Sequence, residues 1–155
     1  MTSPYFVHPF VDTGLGNSAY LIGSHESKKA ILIDPLRDVV RYLHTANEHL
    51  HADFISGNRE IAEQTKAIIG ASATAQLAFD HSPLTEDSII DLGAFQIRVM
   101  TTPGHSPEHI SFLITDENKN PSALFSGGAL IVGGAARTDL LGHEHTHSLA
   151  HDLYH

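Results

Sequence analysis

The feature that most constrains this chain is the order of its apolar runs. Short runs with strand character come first, at Tyr5–Val11, Ser18–Ile22 and Lys29–Ile33, parted by the turn-like Gly14-Leu15-Gly16-Asn17 and the polar stretch Gly23–Lys28. Asp34-Pro35 stops the third, because proline lacks a ladder donor and pushes the residue before it out of helix. Helical periodicity then takes over. Asp38–Leu43 starts a helix with Val39, Val40 and Leu43 on one face. Glu60–Gly70 is the better one, with Ile61, Ala62, Thr65, Ile68 and Ile69 at helical spacing and Gly70 placed to cap it. Strand runs return at Ser88–Leu92, Phe95–Met100, Ile110–Thr115 and Ala123–Phe125, with a polar turn at Asp116–Asn120, and a helix is expected over Thr146–Leu153. Strands, helix, strands, helix predicts a layered α/β sandwich and excludes a helical bundle or an all-β barrel. No repeat or linker interrupts it, so residues 1–155 are expected to form one domain.

The chemistry open to such a domain is narrowed by composition. The chain has no cysteine, so disulfides, thiolate metal sites and a cysteine nucleophile are excluded. Nine basic against 18 acidic residues give a formal charge of −9 with no basic patch, which argues against nucleic acid. No apolar run approaches the roughly 20 residues that cross a bilayer, and Met1–Phe10 lacks the basic and apolar regions of a secretory signal, so a soluble cytoplasmic protein is expected. Histidine is the unusual count, at 13. It is the commonest metal ligand and the commonest acid–base group.

Three motifs place candidate ligands. In His49-Leu50-His51-Ala52-Asp53-Phe54, ligand-type side chains stand at alternate positions, which an extended segment puts on one side. Imidazole with carboxylate suits zinc or iron, although His-x-His alone is weak evidence and fits a structural or solvated role better. In Thr102-Pro103-Gly104-His105-Ser106-Pro107, proline and glycine make a rigid turn at a strand end, a good seat for a ligand or simply a turn with an exposed histidine. Leu124-Phe125-Ser126-Gly127-Gly128-Ala129-Leu130 runs from a strand into a glycine loop that continues through Gly133 and Gly134 to Arg137-Thr138-Asp139. These last three are expected to fix the loop. His143, His147, His151 and His155, spaced by four with His145 off the stripe, read as a solvated helix face or as i, i+4 pairs able to bind a transition metal.

The order His-x-His-x-Asp, helix, Thr-Pro-Gly-His, apolar strand, Phe-Ser-Gly, Arg-Thr-Asp resembles the metallo-β-lactamase superfamily. Within it the chain is similar to the persulfide dioxygenase and glyoxalase II group, and His51–Glu60 and Ala136–Asp139 look most like the persulfide dioxygenases, some of which carry a fused rhodanese domain. The resemblance runs from about Phe6 to Leu141. It implies a four-layer αββα sandwich, incomplete at its C-terminal end. It places one metal on His49, His51 and His105. In the hydrolases a second metal uses Asp53, the residue after it and a late histidine, and a carboxylate at position 128 bridges the two. In the dioxygenases a single iron takes two histidines and one carboxylate, which map to His49, His105 and position 128.

Two positions depart from that pattern. Phe54 cannot bind metal, and Gly128 has no side chain. The expected set is therefore His49, His51 and His105 around one divalent ion, iron or zinc, with Asp53 as the catalytic candidate through a hydrogen bond to a ligand histidine. Only His44–Glu48 separate Leu43 from His49, too few for the strand the resemblance puts there, so either that strand is deleted or residues are missing before His49, and further residues are expected beyond His155. The function implied is metal-dependent chemistry on a small thiol-derived substrate, a glutathione-type persulfide or thioester. The alternatives are a mononuclear zinc thioester hydrolase and a degenerate member that keeps only the fold, as a scaffold beside a rhodanese domain.

Overall fold

The computed structural model describes residues 3–13, 17–35, 42, 59–65, 67–139 and 142–154. His49, His51, Asp53 and Phe54 lie outside them, as do Gly14–Gly16, most of the helix expected over Asp38–Leu43, and His155.

Two compact units emerge. The first takes in residues 1–71 with 77–82 and 91–96; the second takes in 72–76, 83–90 and 97–155. In the first, β1 (Phe6–Asp12), β2 (Asn17–Gly23) and β3 (Ala30–Ile33) form an antiparallel meander in the order β1-β2-β3, with Phe10 opposite Ala19 and Leu21 opposite Leu32. All four residues of β3 are buried, which is why that run reads as continuously apolar. Phe10, Ala19, Leu21, Ala30 and Leu32 pack with Ile61 and the fully buried Tyr42, whose ring meets Phe10 edge-on at 4.7 Å.

Helix α1 (Arg59–Thr65) is shorter than its apolar spacing suggests. Thr65 ends it. The Thr65 hydroxyl donates back to the Ile61 carbonyl at 2.7 Å and accepts the Ala67 amide at 3.2 Å, taking a donor that a further turn would need. Gly70, expected as the cap, instead opens β4 (Gly70–Ser72), which pairs with β5 (Ser82–Leu84).

The remaining strands make a four-stranded sheet in the order β6 (Ile89–Asp91), β7 (Gln96–Thr101), β8 (Ile110–Thr115), β9 (Pro121–Phe125). Ile97 and Val99 of β7 and Ile114 of β8 are fully buried, the alternation expected of a sheet with one covered face. A small hairpin follows, β10 (Leu130–Ile131) with β11 (Gly134–Ala135), inside the stretch read from sequence as a glycine loop. Helix α2 (His143–Tyr154) closes the described chain and buries Leu149.

Candidate functional site

The site is assembled around the turn between β7 and β8. The Thr102 amide donates to the His109 carbonyl at 2.9 Å, closing an eight-residue loop over Pro103 and Gly104. Gly104 adopts φ +134°, outside the range of most L-residues, and a Cβ there would stand 2.6 Å from the Cβ of Leu153 on α2. Glycine is thus required twice at this position, by the backbone and by the helix seated against it.

His105 follows, partly buried. Its ring meets His109 nearly at right angles, with centroids 5.6 Å apart. His109 Nδ1 shares a 2.8 Å hydrogen bond with the Thr102 hydroxyl, which shares another of 2.8 Å with the hydroxyl of the buried Ser111. Burial foremost, and then the neighbouring His105, hold His109 below the usual imidazole range. The hydroxyl chain from Thr102 to Ser111 ties the His109 ring to the sheet. His109 was not singled out in the sequence. The available cue was its placement four residues after His105 across the Pro107 turn.

The turn after β9 also reaches His105. The Ala129 amide donates to the Ser126 carbonyl at 2.9 Å, and Gly127 takes φ +50° inside this turn. Gly128 comes directly under the His105 ring. A Cβ built on it would lie 2.5 Å from His105 Cδ2, 2.6 Å from Cγ and 2.7 Å from Nε2. The place of a side chain at 128 is filled by imidazole.

Arg137 and Asp139 grip one another through two hydrogen bonds, of 3.0 and 2.8 Å, on the surface. Arg137 holds the Asp139 carboxyl below its ordinary range. The pair joins two residues of one surface loop. On α2, His143, His145, His147 and His151 are all exposed. Among the described residues no group of three or more histidine, aspartate or glutamate side chains is arranged to hold a metal ion. Of the predicted site residues, the described structure contains His105 and Gly128 and brings them together.

Comparison with known proteins gives a consistent set of relatives. The mitochondrial persulfide dioxygenase ETHE1 of Bos taurus is 31% identical over 151 residues, covering 88% of this chain and 55% of that protein. The Homo sapiens protein of the same name is 32% identical over 135 residues, covering 77% and 50%. A hydroxyacylglutathione hydrolase of Idiomarina loihiensis is 28% identical over 131 residues, covering 78% and 49%. The chain spans about half the length of the curated relatives it matches. Among solved structures, a metallo-beta-lactamase from Staphylococcus aureus superposes with a TM-score of 0.86 at 31% identity, over 98% of this chain and 51% of that one. ETHE1 from Myxococcus xanthus superposes at 0.76 with 26% identity, over 87% and 62%. No protein-family model matches the chain.

Proposed function

Since the chain belongs to the metallo-β-lactamase superfamily, in the group of persulfide dioxygenases and hydroxyacylglutathione hydrolases, we propose that it carries out metal-dependent chemistry on a small thiol-derived substrate, a glutathione-type persulfide or thioester. The layered α/β architecture expected from the motifs is the fold of these neighbours.

The observation that carries the reading is the placement of His105. A partly buried imidazole stands at a strand end, on a turn locked by Gly104, with its ring in contact with His109 and close against Gly128. Such rigidity suits a ligand, whose ring must hold its direction. The donor chemistry then limits the metal set. An acidic ligand at position 128 does not fit, because that position is glycine and its side-chain space is taken. What the resemblance implies is then an imidazole set, His105 with His49 and His51, and Asp53 to orient a ligand ring; of these only His105 lies among the described residues. A divalent ion held there, iron or zinc, supplies Lewis acidity towards substrate, water or oxygen. His105 contributes direction, and the perpendicular His109 ring packs against it.

The glycine at 128 favours a second reading within the same family. Without an anionic ligand the protein acts as a mononuclear zinc thioester hydrolase, or keeps the fold as a non-catalytic module. A cytoplasmic location and a rhodanese partner domain belong to the same proposal. Among the described residues, no helix is long and apolar enough to cross a membrane.

Purified protein loaded with zinc or iron(II) is expected to retain close to one equivalent. Retention below about a tenth of an equivalent removes the metal-dependent reading. Oxygen uptake with glutathione persulfide supports the dioxygenase, and thioester cleavage without oxygen uptake supports the hydrolase. A metal-loaded protein inactive in both assays is the non-catalytic module.

A further inference from the structure

Gly128 and His105 compete for one volume. Carbon atoms in contact rest about 3.5–4.0 Å apart, yet a Cβ on Gly128 would come within 2.5–2.7 Å of three atoms of the His105 ring. The backbone of Gly128 does not itself call for glycine. Its φ is not among the positive ones, whereas those of Gly127 and Gly104 are. The requirement comes from the neighbour. The same ring has a second fixed neighbour, because His109 stands perpendicular to it and is tied through Thr102 to the buried Ser111.

We propose that Gly128 is a positioning residue for His105: its missing side chain opens the slot that the imidazole occupies, and a metal set completed by an acidic side chain at 128 is closed to this chain. An acidic substitution at 128 therefore does not add a ligand to an intact site; it expels one. The slot rests on geometry alone. Its consequence for the metal rests on the reading of His105 as a ligand. With the ring seated and no carboxylate at 128, the donor set that the resemblance implies is imidazole alone, which zinc accepts readily and which lacks the carboxylate of the two-histidine iron triad.

A double-substitution cycle in the presence of a chelator tests the slot without any metal. Gly128→Ala is expected to lower Tm by at least about 3 °C and to move the His105 ring resonances. In a His105→Ala background the same substitution is expected to cost almost nothing, because the ring it strikes is gone. Gly134→Ala, in the neighbouring hairpin, is the control. Its Cβ would meet Ile131 no closer than 3.6 Å, so it should leave ring and Tm unchanged. Equal costs of Gly128→Ala in the two backgrounds, or unmoved His105 resonances, overturn the proposal.

The metal consequence is read separately, by calorimetric titration. Gly128→Ala is expected to weaken zinc binding by about tenfold or more, and Gly128→Asp to gain no iron(II) affinity over the parent. Tight iron(II) binding by Gly128→Asp with His105 coordinated would overturn the claim that the acidic set is closed. If the parent takes up neither metal while the cycle shows full coupling, the slot stands and the metal-dependent function falls.

Discussion

Strand β8 has a turn at each end, and the two are built on opposite plans. The turn after it, Asp116–Asn120, is self-sufficient. The Asp116 amide donates to the Asn120 carbonyl at 3.0 Å, and its carboxylate accepts the Asn118 and Asn120 amides at 2.9 and 2.8 Å and the Asn120 side chain at 3.0 Å. Every partner lies within five residues, and all are at the surface. The turn before β8 borrows its parts from far along the chain. Gly104 needs Leu153, His105 needs the bareness of Gly128, and Thr102 needs Ser111. The first plan reverses a chain. The second holds one imidazole in one direction, which a turn made only of its own residues could not do.

The comparison breaks most readily at Gly104. Alanine there has to adopt φ +134° and press its Cβ into Leu153. Strain and overpacking together should cost about 2–4 kcal/mol in urea unfolding. A loss below about 0.5 kcal/mol would mean that the end of α2 is not seated on the turn.

A smaller effect is expected one layer further in. Ser111 is 1% exposed, and Ser111→Ala leaves the Thr102 hydroxyl with His109 as its one side-chain partner in this chain of bonds. The expected loss is about 1–2 kcal/mol, with a shift in the His109 ring resonances. Unshifted resonances would show that the hydroxyl chain does not set the orientation of that ring.

The two plans also explain what could be read in advance. The Asp116 turn was legible because its logic is local: aspartate and asparagine side chains satisfy their own backbone. The long strands were legible for a similar reason, and Ile110–Thr115 fell where its apolar run put it. The three-residue strands Gly70–Ser72 and Ser82–Leu84 were not, because three residues carry no measurable period. Helix α1 was drawn too long because apolar spacing does not register the Thr65 hydroxyl that ends it. At the site, His105 was legible from its Pro-Gly turn, but His109 was missed, since its importance lies in Thr102 and Ser111 rather than in any motif. Gly128 was legible only as a missing ligand. That its emptiness makes room for a ring is a fact of tertiary packing, which the spacing of residues along the chain does not encode.

The smallest expected effect is at the self-sufficient turn, and it differs from the others in its response to acid. Hydrogen bonds from the Asn120 side chain, then from the Asn120 backbone, and lastly from the Asn118 backbone hold the Asp116 carboxyl below its ordinary value of 3.8. A carboxyl lowered on folding contributes stability that is present above 3.8 and is lost as pH falls through its folded value. Asp116→Asn should therefore lower Tm slightly at about pH 6, where the parent is ionised, and the difference should shrink towards zero by about pH 2. The Gly104→Ala deficit is steric and should persist across the same range. A deficit of Asp116→Asn that stays constant with pH would show that the carboxylate charge contributes nothing to its turn.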